Sequence, residues 1–197
     1  MKSKNLNVPD EYPNTGLLPA GVLEVAEELR TCWLILDSRT PQVGAKVVAK
    51  AWRDAEFRAR LLENGRTACE ELGITFYDAR QHIVLENTRG VHNLIICRLC
   101  SCYPRPVLGL PPYWYQQKLY LARAVKEPRA LLAEFDTVIP DDVEIRVSDS
   151  TAVVRYLVLP LRPAGTEGWS EEELAALVSR DTMIGVAPIK QQSRRIQ

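Results

Sequence analysis

The sequence predicts an α+β fold: an N-terminal helical arm followed by a compact layered domain of strands and helices. Three observations predict it. Apolar residues recur at helical spacing through the first third of the chain. Short β-branched runs then appear in two pairs, "QHIVLEN" with "VHNLIIC" and "VEIRVSDS" with "VVRYLVLP". Helical segments that open on proline or serine lie between and after those pairs.

The elements follow in order. Residues 1–14 are polar, carry Pro9 and Pro13, and read as a flexible arm. Val22, Val25, Ala26, Leu29, Trp33 and Leu36 mark a helix between Leu18 and Leu36. The face around Trp33 suits either the core or a partner. Pro41 interrupts, "VGAKVVAKAW" resumes, and Asp54 caps the next helix, "DAEFRARLL". Asn64-Gly65 is a break, and "TACEELG" is a last helical turn ending on Gly73. Residues 81–87 and 91–97 read as strands joined by a turn at Thr88–Gly90. "PPYWYQQKLYLARAV" and "PRALLAEF" read as helices, and the strands at 143–150 and 153–160 as a mutual pair. Ser170 with Glu173 forms a capping box for the last helix. The expected division is an arm at 1–14 and one domain at 15–197. Within that domain lie helices at 15–73, a core at 74–188 and a tail at 189–197.

Composition excludes several functions. The formal charge is +0, from 25 basic and 25 acidic side chains, which gives no electrostatic basis for nucleic acid or an anionic membrane. No apolar run approaches a spanning helix, and the N-terminus lacks an apolar signal core. The expectation is a soluble cytoplasmic protein. In a reducing compartment, clustered cysteines point to metal or redox chemistry.

Such a cluster is present: Cys97, Cys100 and Cys102 lie within "CRLCSCYPRP". A structural zinc site wants four ligands, and a Cys3His set would need His92 or His82. Cys100 and Cys102, one residue apart, strain tetrahedral coordination. A thioredoxin-type pair opens a helix, and Tyr-Pro-Arg-Pro argues against one here. Thiols at i, i+3 and i+5 on a tight turn surround one point instead. The backbone must then pass close to that point, and the amides of Ser101 and Cys102 become ligands if a strong Lewis acid, trivalent cobalt or iron, draws off their protons. That site would be nearer octahedral, with one position open for catalysis.

Cys-x-x-Cys-Ser-Cys, set in "VHNLIICRLCSCYPRPVLGLPPYWY", resembles the metal-claw motif of nitrile hydratase α chains. "VGAKVVAKAW", "LENTRGVHN", "PDDVEIRVSDS" and "VRYLVLPLRPAGTEGWSEEELAALVSRDTMIGVA" extend the resemblance over roughly residues 15–188. The γ subunit of thiocyanate hydrolase shares motif and fold. The resemblance implies thiolate ligation by Cys97, Cys100 and Cys102 and amide ligation by Ser101 and Cys102. It implies oxidation of Cys100 to sulfinate and Cys102 to sulfenate. The Cys102 oxygen would then be nucleophile or base, and the metal would polarise the nitrile or a water. "CSCYP" accompanies cobalt in this family and "CSCTA" iron, so Tyr103-Pro104 points to cobalt(III) over iron(III). Zinc fits an immature or isolated chain. A β-type subunit would complete the cleft with arginines, a separate activator would load the metal, and the substrate would be a small nitrile.

The chain departs from the family pattern at three places. Arg98 follows the first cysteine, where Thr or Ser is usual. Arg105 replaces a common tryptophan, matches the "YPRP" of thiocyanate hydrolase γ, and points to an anionic or polar substrate, such as a heteroaromatic or nucleoside-like nitrile of the toyocamycin type. Ungapped counting puts Asp78 where the family carries a claw-orienting glutamine. Arg105, Trp114 and Asp78 are candidates for the substrate pocket, with Tyr113 and Tyr115 beside them. Asp149 matches a family acid near the site, with turn capping as its plainer role. Cys32 and Cys69 read as buried structural thiols. Two other functions stay open: a thiocyanate hydrolase-type subunit, and a non-catalytic zinc-binding or metal-trafficking protein.

Overall fold

The computed structural model describes residues 41–97 and 102–189 of the chain. The arm, the helix between Leu18 and Leu36 with Cys32 and Trp33, residues 98–101 and the end of the tail lie outside the described residues.

Helix α1, Pro41–Arg53, starts at Pro41 rather than after it. Proline's fixed φ suits a first helical turn, where its missing N–H costs nothing. α2, Ala55–Glu63, begins where Asp54 accepts a hydrogen bond from the Phe57 N–H, as the sequence predicts. Asn64 ends α2 and caps α3, Gly65–Glu71, by accepting from the Thr67 N–H. One residue thus serves two helix ends and sets the sharp turn between them. Gly44 carries α1 close against the chain that follows the cysteines. A Cβ there would come within 2.8 Å of the Val107 carbonyl and of the Met183 sulfur.

Strand pairing differs from the expected mutual pair. β1 (Gln81–Glu86) pairs in parallel with β4 (Val154–Leu159), and β2 (Val91–Cys97) pairs in parallel with β3 (Glu144–Ser150). Neither member of the β3–β4 pair bonds to the other along its length, so the two runs belong to separate two-stranded sheets. The physical reason lies in burial. Five successive residues of β2, from Asn93 to Cys97, are buried, which requires cover on both faces and is the habit of parallel strands. A hairpin open to water on one side would alternate instead. Parallel pairing needs long crossovers, and the segments between β2 and β3 supply one.

That crossover starts with a helix the sequence did not lead us to expect. α4, Arg105–Leu108, is a single turn with Pro106 in its first positions. The Tyr-Pro-Arg-Pro run therefore delays a helix after the cysteines without forbidding it. The expected helix at 111–125 divides into a 3₁₀ turn, Tyr113–Gln116, and α5, Lys118–Lys126. α6, Pro128–Glu134, opens on its proline as expected. α7, Glu171–Ala175, carries both arms of the predicted capping box: Ser170 N–H donates to Glu173 Oε2 at 2.7 Å, and Glu173 N–H donates to Ser170 Oγ at 3.2 Å. A second box, Ser179 with Thr182, starts α8, Arg180–Met183.

The core lies where the two strand pairs meet α1, α2 and the 103–132 segment, with Phe57, Leu94, Ile95, Leu108, Leu132 and Leu157 fully buried. No helix among the described residues is long and apolar enough to cross a membrane.

Candidate metal centre

Two of the three clustered cysteines lie among the described residues. Cys97 ends β2, opposite Ser150 in the register with β3, and is 1% exposed. Cys102 precedes α4 and is 0% exposed. Cys100 and Ser101, with Arg98, fall in the short stretch outside the described residues. Four residues thus separate two buried thiols, one at the end of a strand and the other three residues before a helix.

Position on a strand decides the histidine question. His92 stands five residues before Cys97, roughly 16 Å away at strand rise, and its Nε2 donates to the Gly185 carbonyl at 2.7 Å. His82 is 2% exposed, stacks at 4.2 Å on Phe76, and engages the Arg80 carbonyl through Nδ1. Burial first, with the nearby Arg155 cation, pushes its pKa down to about 4, so it is neutral. Among the described residues no group of three or more His, Cys, Asp or Glu side chains is gathered to hold a metal. Cys69 is buried, and burial pushes its thiol up to about 12, the state of an inert packing residue.

A buried charged group that the sequence reading missed lies on β4, where the following residue, Tyr156, donates its N–H at 3.2 Å to Ser150 Oγ, and Ser150 faces Cys97. Arg155 of β4 is 5% exposed. Burial lowers its pKa, while Asp78 and the anionic forms of Cys102 and Cys97 work in the opposite direction. Its Nη1 donates to Asp78 Oδ2 at 2.9 Å. A signal existed: residues 155, 157 and 159 of β4 are all buried, so Arg155 occupies a core-facing position of an apolar strand. A buried arginine needs an anion beside it, and here Asp78 supplies one.

The remaining candidates separate. Asp149 is half-buried on β3, opposite Ile96 and next to the residue that faces Cys97. It sits close enough to Tyr115 for its charge, with that of Cys97, to add to the burial that raises the Tyr115 phenol well above its ordinary value. Tyr115 donates to the Ile95 carbonyl at 3.0 Å, tying the 3₁₀ turn to β2, and meets Tyr103 edge-on at 5.5 Å. Trp114 packs against Tyr115, Tyr120 and Phe135 with ring centroids 4.7–5.9 Å apart. Arg105 is exposed at the start of α4 and lines an open groove of about 730 Å³ with Lys46, Tyr77, Pro106 and Glu171. Trp114 and Asp78 are not among the groove's described lining residues. The Tyr113 side chain lies outside the described set.

Comparison with known proteins decides the family. The family model for nitrile hydratase, alpha chain, matches residues 16–187. The chain belongs to the nitrile hydratase α-chain family. It is 53% identical over 175 residues to a nitrile hydratase subunit alpha of a Rhodococcus species, covering 88% of each chain. It is 50% identical over 175 residues to the cobalt-containing nitrile hydratase subunit alpha of Pseudonocardia thermophila, covering 88% of this chain and 86% of that one. The thiocyanate hydrolase subunit gamma of Thiobacillus thioparus is 42% identical over 158 residues, covering 75% and 65%. Among solved structures, a double mutant of the Fe-type nitrile hydratase from Comamonas testosteroni Ni1 superposes with a TM-score of 0.76. It is 42% identical, over 92% of this chain and 89% of that one. Within this α-chain family the relatives' names thus span cobalt and iron, and nitrile and thiocyanate.

Proposed function

We propose that this chain is the metal-binding catalytic α subunit of a cobalt-type nitrile hydratase, adding water across a carbon–nitrogen triple bond to give an amide. The observation that carries the reading is the buried pair Cys97 and Cys102 beside the buried cation of Arg155. Soft thiolate donors held out of water suit cobalt or iron in the trivalent state. Cys97, Cys100 and Cys102, with the backbone nitrogens of Ser101 and Cys102, would hold it. Tyr103-Pro104 after the third cysteine favours cobalt(III) over iron(III). Once bound, the metal supplies a Lewis acid that polarises the cyano group or a water.

The protein's own groups do the rest. Cys102, as sulfenate, holds the oxygen that takes a proton from the attacking water or itself attacks the nitrile carbon. In the second route a water then cleaves the S–O–C link, releasing the amide and restoring the sulfenate. Cys100, as sulfinate, stays unreactive and anionic. Arg155 offsets negative charge on the sulfur groups from the α side. Tyr103, Tyr115 and the β2 end keep that side dry, which strengthens each of these charge interactions. A β-type partner closes the other side, an activator protein loads the metal, and the complex works in the cytoplasm.

Metal content and cysteine mass test this directly. The complex is produced with partner and activator in medium supplying both cobalt and iron. The expected result is stoichiometric cobalt, two added oxygens on Cys100, one on Cys102 and none on Cys97. Stoichiometric iron overturns the metal assignment. Active protein with three reduced cysteines overturns the oxidation of Cys100 and Cys102, and tetrahedral zinc with reduced thiols and no turnover points to the non-catalytic alternative.

A second reading, thiocyanate hydrolysis, is favoured by one observation: Arg105, beside Lys46 in the groove. Charge pairing with an anion is strong where a partner excludes water. Arg105→Trp separates the two readings. For a nitrile hydratase it keeps hydration and shifts preference toward apolar nitriles by about 1–3 kcal/mol in kcat/KM. For a thiocyanate-hydrolysing subunit it abolishes turnover of the anion. The measurement is kcat/KM for thiocyanate, a small alkyl nitrile and a cyano-heteroaromatic. Thiocyanate as the best wild-type substrate, lost on substitution, reverses the choice.

A further inference from the structure

Arg155 stands between Asp78 and the end of β2 that carries Cys97. On one side its Nη1 donates to Asp78 Oδ2 at 2.9 Å. On the other, the next residue of β4, Tyr156, donates its N–H to Ser150 Oγ at 3.2 Å, and Ser150 faces Cys97 in the β2–β3 register, which puts the guanidinium within reach of the charge of Cys97 and Cys102. The guanidinium is almost fully buried, so water screens neither side well.

Asp78 is not a loose surface carboxylate. Its Oδ1 accepts from the Arg80 N–H at 3.1 Å, and its Oδ2 lies 3.4 Å from Arg80 Nη1. Its carbonyl accepts from Arg66 Nη1, while Arg66 Nη2 donates to the Phe76 carbonyl at 3.2 Å. Arg66 also lies over the Phe76 ring, 5.3 Å from its centre. A helix thus staples the 76–78 segment and fixes the carboxylate against Arg155. His82, paired with Arg155 in the β1–β4 register and neutral, adds no charge of its own.

We propose that Asp78 is a positioning residue whose negative charge tunes the claw cysteines through Arg155. The inference rests on the nitrile-hydrating claw described above. A buried cation shared with a carboxylate exerts less positive potential on the sulfurs. The sulfurs stay more electron-rich, and the Cys102 oxygen stays a better nucleophile or base. Shape and hydrogen bonding hold Arg155 in place; the charge of Asp78 sets how strongly Arg155 acts.

The test separates charge from shape in the reconstituted, metal-loaded complex. Asp78→Gln retains a hydrogen-bond acceptor and removes the charge. It is expected to lower kcat for a small alkyl nitrile about tenfold, in the range seen for groups that act on metal ligands through a neighbour, with KM within threefold. The sulfur-to-metal charge-transfer absorption should move to shorter wavelength, because the sulfur electrons are held more tightly. Peptide mass should show unchanged oxidation of Cys100 and Cys102. Asp78→Glu, which keeps the charge, should keep the wild-type band and kcat within threefold. In an Arg155→Lys background the further effect of Asp78→Gln should shrink below twofold, because the coupling runs through that residue. An unchanged band and kcat in Asp78→Gln, or full additivity with Arg155→Lys, overturns the proposal alone. A wild-type complex with neither the band nor nitrile turnover overturns the functional reading beneath it.

Discussion

Cys102→Ser is expected to remove nitrile hydration almost completely, by about a thousandfold or more, while leaving the α chain folded. The size of the loss follows from the proposed role. A residue that supplies the attacking oxygen, or the base for it, acts only in the reaction itself, and losses of that order are usual when such a group is deleted. Serine cannot take the oxygen that a thiolate takes, so the added mass on this residue should vanish from the peptide. It is also a harder and far less acidic donor than a thiol, so cobalt content should fall as well. The fold should change little. Cys102 is fully buried, but it is a small side chain beside a core built from Leu94, Ile95, Leu108 and Leu157. Placing one hydroxyl there costs about 1–2 kcal/mol. Three measurements check this: kcat on a small nitrile, intact mass of the claw peptide, and thermal unfolding of the metal-free chain. Retention of a tenth of the activity would show that Cys102 is not the reacting group.

Local signals were legible because they need only neighbouring residues. The Asp54 cap, the Asn64 break and the Ser170–Glu173 box all satisfy backbone groups within three or four positions. Each reads directly from the chain. Strand pairing did not, because register is chosen by tertiary cover rather than by the strand's own composition. "VEIRVSDS" and "VVRYLVLP" look like a hairpin in sequence, with only Thr151–Val153 between β3 and β4, yet each pairs with a partner more than fifty positions away. The buried run from Asn93 to Cys97 was the visible warning, since it lacks the alternation of a half-exposed hairpin.

The site divides in the same way. The claw motif is contiguous and could be read at once. Arg155 comes from a strand fifty-three positions after Cys102 and comes near Cys97 only because β4 meets the end of β3, where Tyr156 N–H donates to the Ser150 Oγ that faces Cys97. A single charge at an inward position of "VVRYLVLP" was the sole trace of it. Asp78 was singled out by sequence counting as a pocket candidate, but its partner was not foreseen. The pairing depends on Arg66, which fixes the backbone of the 76–78 segment from a helix.

Gly185→Ala is expected to cost about 4 kcal/mol of stability, the upper range for a single substitution with a named steric cause. Two effects add. Gly185 has φ 82°, which a residue with a Cβ adopts only under strain. Its added Cβ would also lie 1.9 Å from the Asn93 carbonyl oxygen and 3.2 Å from the Leu94 Cα, both backbone atoms that cannot swing aside. The turn is anchored to β2 from both flanks. Ile95 N–H donates to the Ile184 carbonyl at 2.9 Å, and His92 Nε2 donates to the Gly185 carbonyl at 2.7 Å. Relief of the clash must therefore push the turn and β2 apart, and β2 is the strand that delivers Cys97. The consequence should reach the metal centre along β2, because Asn93 lies only four residues before Cys97. Thermal unfolding of the assembled complex should fall by roughly 8–16 °C, at about 2–4 °C per kcal/mol for a chain of this size. Cobalt content of the purified complex should drop with it. Gly168→Ala serves as the control. It shares the positive φ, at 83°, but nothing lies within 4 Å of its added Cβ, so it should cost only about 1 kcal/mol of backbone strain and leave the metal in place. Equal losses from the two substitutions would mean that backbone conformation alone matters, and that contact between the Gly185 turn and Asn93 does not hold β2 in position.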